Sequence, residues 1–141
     1  MNKNNILSEM LEKQLKDITE TKKLSYKDLI RILKYLNSSI FDDSLCSIWT
    51  GYVVNDEDTK SSYINFYFKQ KKVSLHRLLY INFVGPLLDN EYLKFKCRNR
   101  GRCCNINHLI KMSKEEKDKE KEDKMKKEKE ELKRSFTIEF D

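Results

Sequence analysis

The stretch KFKCRNRGRCCNINHL, Lys94 to Leu109, puts three cysteines, one histidine and five basic side chains into sixteen residues. Zinc asks for four ligands at the corners of a tetrahedron, thiolate sulfur at about 2.3 Å and imidazole nitrogen at about 2.0–2.1 Å. Cys97, Cys103 and His108 are near enough along the chain to wrap one ion. Cys46 is the one cysteine outside the stretch, and so the natural fourth ligand. Cys104 adjoins Cys103, and two neighbouring residues cannot easily reach the same ion together. We read Cys104 as a spare thiol or small core residue, leaving open its exchange for Cys103. The competing reading is four ordinary thiols with a histidine nearby by chance.

Composition favours the metal. Of 141 residues, 38% are apolar and 37% charged, which places the chain toward the polar end of soluble proteins and leaves a modest core to hold the fold. A structural zinc ion supplies on the order of 10–16 kcal/mol in small domains of this kind. The opening MNKNNILSEM has no apolar run of signal-peptide length, and no segment approaches the apolar length of a membrane span. The expectation is a soluble intracellular protein, in cytoplasm or nucleus and not secreted. There, four cysteines favour metal ligation or free thiols over disulfides.

Charge divides the chain into three. Residues 1–45 hold eight basic and seven acidic side chains, 46–112 hold eleven and five, and 113–141 hold ten and eleven. The net charges are +1, +6 and −1, so the basic excess belongs to the middle segment alone.

The first segment reads as two amphipathic helices. Leu7, Leu11, Leu15 and Ile18, with Ile6 and Met10 beside them, make an i, i+4 stripe on a helix of about four turns. Ser25 suits an N-cap and Asp28, three residues on, imitates a capping box. The second helix should bury Leu29, Ile32, Leu33 and Leu36. Such helices are a packing or partner surface before they are an active site. The middle segment opens with SSYINFYFKQKKVSL: a strand over Tyr63 to Phe68, a polar turn over Lys69 to Lys72, and a return over Val73 to Leu75. HRLLYINFVGP fits a short helix ended by Gly85 and Pro86. From Ser113 to Arg134 the chain is almost wholly Lys, Glu and Asp, with i, i+4 pairs such as Glu120 with Lys124, and predicts a long, solvated charged helix. The ending SFTIEF sets Phe136, Ile138 and Phe140 on one side of an extended strand that could dock on the core or on a partner.

The order CSIWTGY, YINFYF, KKVSLHRLLYINFVGPL and CRNRGRCCNINHL resembles the zinc-containing branch of the HNH, or His-Me finger, endonucleases, over about Cys46 to Met112. That branch reads roughly HxCxNxxCxNPxHL, follows its first cysteine with a tryptophan and a glycine, and carries a hairpin leading into an HR helix ended by GP. The resemblance implies an α+β fold: a small zinc-stabilised His-Me finger-like domain of β-hairpin and short helices over 46–112. An N-terminal helical pair over 1–45 and a long charged C-terminal helix over 113–141 would flank it. It places the family's zinc ligands on Cys46, Cys97, Cys103 and His108 and its asparagine on Asn105, with Ile106 for the usual proline. One extra residue between Cys97 and Cys103 must bulge, and Gly101 can absorb it.

At the catalytic positions the resemblance breaks. The family's general base falls on Phe95, which can neither accept a proton nor bind a metal. Its ion-holding asparagine falls on Lys117, a cation that would repel magnesium. His76 is a candidate replacement base, but HR at this point fits packing or phosphate contact better. The expectation is no catalytic residue and no cleavage.

Nine cations remain to meet phosphates: Lys69, Lys71, Lys72, Arg77, Lys94, Lys96, Arg98, Arg100 and Arg102. Such contacts position nucleic acid without reading its sequence. Tyr63, Phe66, Tyr67 and Phe68 could stack on bases, although an aromatic strand more often serves a core. The sequence therefore points to a zinc-stabilised protein that binds nucleic acid, DNA first, through a degenerate HNH-like domain. The alternatives are an active, magnesium-dependent HNH endonuclease, or a zinc-stapled scaffold that binds proteins through its N-terminal helices or tail.

Overall fold

The computed structural model describes residues 3–58 and 61–113. They form a small mixed α+β unit of helices and short antiparallel hairpins. The expected helix beyond residue 113, Lys117, and the apolar ending Phe136, Ile138 and Phe140 all lie outside the described residues.

Helix α1 spans Lys3–Lys13 and is shorter than its apolar stripe suggests. It buries Ile6 and Met10, while Leu11 is exposed and Leu15 and Ile18 follow the helix end in an irregular segment. The core therefore takes the i, i+4 pair one residue before the one the periodicity favoured. Helix α2, Tyr26–Leu33, starts as expected. The Ser25 side chain accepts from Asp28 N, and the Asp28 carboxylate accepts from Ser25 N at 3.0 Å. This reciprocal cap is worth about 1 kcal/mol. Leu29, Ile32 and Leu33 are buried, and so is Leu36 just past the helix.

Between α1 and α2 the chain is irregular, and one buried side chain organises it. Asn82 lies in α3, Leu75–Phe83, and is fully inaccessible. Its Oδ1 accepts from Gln14 Nε2 at 2.9 Å and Leu24 N at 3.0 Å, while its Nδ2 donates to Lys22 O at 3.0 Å and Leu78 O at 2.8 Å. All four amide valences are used. Asn82→Leu keeps the volume but strands the Leu24 N–H and Lys22 C=O in an apolar setting. The expected loss is about 3 kcal/mol, read from the urea midpoint; a loss below about 1 kcal/mol would show that this hub is dispensable.

The middle segment holds three separate two-stranded antiparallel sheets. Strands β1, Val54–Asp56, and β2, Ser61–Tyr63, form a hairpin that the sequence reading did not anticipate. Strands β3, Asn65–Phe68, and β4, Lys71–Ser74, form the expected one, with a tighter turn. Only Lys69 and Gln70 turn the chain, with φ of 48° and 66°. Positive φ at both central residues is the type I′ geometry that matches strand twist. Leu75 begins α3 and does not extend the strand, and α3 ends before Gly85 and Pro86 as expected. Strands β5, Glu91–Phe95, and β6, Leu109–Ser113, pair with Phe95 opposite Leu109, so that the ligand-bearing loop spans this hairpin's two arms.

One apolar core runs from Ile6 through Leu29, Ile40, Trp49, Ile64, Phe66 and Leu79 to Ile106. The N-terminal helices therefore share a core with the hairpins, and the described residues before and after Cys46 pack as one unit. Among the described residues, no helix is long and apolar enough to cross a membrane.

Candidate metal centre

Two distant segments build the centre. After α2 the chain passes Asn37, whose Oδ1 accepts from Ile48 N at 2.8 Å, and returns as a loop carrying Cys46. Ile48 bridges to Cys103, and Cys104 N donates to Ser47 O at 2.7 Å, so the two cysteine segments lie side by side. Asn105 completes the join. It is fully buried, donates through Nδ2 to Asp42 O and to Leu45 O, the latter at 2.8 Å, and accepts from Asn107 N at 2.9 Å. The asparagine that the sequence left without a role thus fixes the loop delivering Cys46.

The ligand atoms of Cys46, Cys97, Cys103 and His108 all lie within 4.8 Å of one another. His108 Nδ1 is 3.6 Å from Cys46 Sγ and 3.4 Å from Cys103 Sγ. Tetrahedral zinc at its usual bond lengths spaces neighbouring ligands by about 3.5–3.8 Å. His108 Nε2 donates to Asp43 O at 2.9 Å. That bond leaves the Nδ1 lone pair facing the sulfurs, the second-shell arrangement that orients a metal-binding imidazole. Asn105 N–H donates to Cys103 Sγ at 3.4 Å. The donor set and its geometry fit a divalent soft-to-borderline ion, and the four residues brought together are those read from the sequence as its ligands.

Cys104 is not one of the four. It is fully buried in the apolar core, where burial pushes its thiol upward. Among the four ligands, a side-chain hydrogen bond with Asn99 holds the Cys46 thiol below its ordinary range, while burial pushes Cys103 up to about 12. A bound divalent ion would reconcile the two, because coordination deprotonates thiols outright. No cysteine forms a disulfide.

Asn99 was not singled out from the sequence. Besides bonding Cys46, its carbonyl accepts from Arg102 N at 3.1 Å and Cys103 N at 3.0 Å, which closes the turn between the second and third ligands. Its neighbours in CRNRG, an asparagine two before a glycine, were the available turn signal. Gly101 has φ of 79° and packs against the β1–β2 hairpin: a Cβ there would lie 2.1 Å from Ser62 O.

His76 is buried and Nε2–H donates to Cys103 O at 2.8 Å. Burial pulls its pKa down to about 4, so the ring is neutral near pH 7. Its edge meets the Phe95 ring at 4.9 Å between centroids and 89° between planes. His76 therefore serves packing and braces the ligand loop.

Of the nine cations, Lys69, Lys71, Lys72, Lys94, Lys96, Arg98, Arg100 and Arg102 are exposed. Arg77 is half-buried and committed to the fold, its guanidinium donating to Glu91 O at 2.7 Å and Leu88 O at 2.8 Å. Lys69 Nζ donates to Glu20 O.

No protein-family model and no solved structure matches the chain. It is 54% identical over 111 residues, 78% of its own length, to the protein named Uncharacterized protein R328 of Acanthamoeba polyphaga mimivirus. The chain spans 32% of that relative.

Proposed function

We propose that the chain is a zinc-stapled nucleic-acid-binding module, a degenerate HNH or His-Me finger domain that holds nucleic acid, DNA first, without cutting it. The observation that supports it most is a four-ligand centre whose connecting loop displays Arg98, Arg100 and Arg102 to solvent. Beside that centre the Phe95 ring packs on His76 where the family carries its proton acceptor. Four protein ligands leave no open position, so the ion's role is structural: it holds the loop that presents the cations. A phenyl ring moves no proton, and a buried imidazole engaged with Cys103 O is not free to replace it.

Zinc content and DNA affinity across a salt series, measured on one preparation, test the reading. With six phosphates engaged, log K falls against log salt with a slope of about −5. A flat salt response removes the phosphate surface, and magnesium-dependent cleavage by the wild type removes the non-cutting assignment. Stable co-purifying proteins with no nucleic-acid affinity would favour the zinc-stapled scaffold.

A further inference from the structure

The aromatic residues of the β3–β4 hairpin divide by face. Phe66 and Phe68 are buried in the core, while Tyr67 between them is 58% exposed and the flanking Asn65 is exposed too. Tyr67 stands directly opposite Lys72 across the ladder, and Phe66 opposite Val73. The outward face therefore carries Asn65, Tyr67 and Lys72, with Lys69, Gln70 and Lys71 at the tip. From Ser61 to Ser74 there are three lysines and no acidic residue. The platform is held firmly: Arg31 donates to Tyr67 O at 2.8 Å and lies 4.3 Å from the Phe66 ring centroid.

We infer that this face is a stacking platform for an unpaired nucleobase, so that the nucleic acid it takes is single-stranded. This rests on the proposed nucleic-acid binding and narrows its substrate. An exposed ring gains most from a flat π-surface, and an unpaired base offers one whatever its identity. In a duplex those surfaces are covered by neighbouring bases, leaving edges and phosphates. Cross-strand partners stand about 4.5–5.5 Å apart at Cβ. The Lys72 ammonium can thus meet the phosphate of a nucleotide whose base lies on Tyr67, and the absence of acidic groups on the hairpin spares that phosphate repulsion.

The test is fluorescence anisotropy on the zinc-loaded full chain, at fixed salt, with oligo(dT), oligo(U) and a blunt DNA duplex of equal length. Tyr67→Ala should weaken oligo(dT) or oligo(U) binding about tenfold and leave the duplex within about twofold, while Tyr67→Phe keeps wild-type affinity. Lys72→Gln should weaken all the probes that bind. Since Tyr67 is exposed, a thermal melt should show the variant folded. Equal loss on duplex and single strand, or no loss at all, overturns the platform while nucleic-acid binding stands. Wild-type protein that binds none of the three probes overturns both. The oligo(dT) and oligo(U) arms separate DNA from RNA as the preferred strand.

Discussion

Chelating the ion from the purified protein is expected to unfold the middle segment cooperatively, together with the N-terminal helices that share its core. Cys97→Ser should reproduce that result without chelator. The reasoning is thermodynamic: the four ligand atoms already converge on one centre, so ion binding is coupled to the native fold and its energy becomes folding energy, on the order of 10–16 kcal/mol. No apolar contact here is worth as much, since burying a whole leucine or phenylalanine contributes only about 1.5–3 kcal/mol. Three separate two-stranded sheets cannot make up the difference, because isolated hairpins are marginal in water. Far-UV circular dichroism with zinc-release titration reads the outcome. Cys104→Ser serves as the control: it should cost core stability but retain one zinc per chain, because its sulfur is buried away from the centre. Metal analysis that finds no zinc, or a chelated protein that melts unchanged, would defeat the proposal.

The second large effect is expected at Gly101. A methyl group there meets the backbone carbonyl of Ser62 at 2.1 Å and its carbon at 2.5 Å, and φ of 79° is strained for any residue with a Cβ. Neither neighbour is the end of a flexible side chain, so the ligand loop or the β1–β2 hairpin must move. Combining about 1–2 kcal/mol for the left-handed backbone with about 1–3 kcal/mol for overpacking, Gly101→Ala should cost about 4 kcal/mol. It should also weaken zinc, since Gly101 lies between two ligands. Gly85→Ala is the contrast: nothing lies within 4 Å of its added Cβ, and the change should stay within about 0.5 kcal/mol. Equal effects at the two glycines, measured by denaturant melts, would contradict the close approach.

These two sites show how unevenly the sequence discloses the molecule. The four converging residues were legible because sulfur and imidazole are chemically distinctive and three of them fall within twelve residues. The cap at Ser25 and Asp28 was legible because it is local. What stayed hidden depends on distant partners. Whether Ile6 or Leu7 turns inward is decided by what α1 packs against. The hub at Asn82 depends on backbone groups near residues 22–24, some sixty positions away. The β1–β2 hairpin was missed because Val54 to Asp56 is short and polar, and its position depends on the bare Cα of Gly101. For His76 the sequence favoured packing or phosphate contact over a base, and only its burial and its bond to Cys103 O show the packing role.

The spacing of the ligands has one more consequence. Cys46 precedes the first two hairpins and α3, while Cys97, Cys103 and His108 follow them between β5 and β6, so an ion held by all four would close a ring through residues 47–96. Severing the polypeptide inside that ring would not separate its halves: beyond the shared apolar core, the ion would clasp the two fragments at one more point.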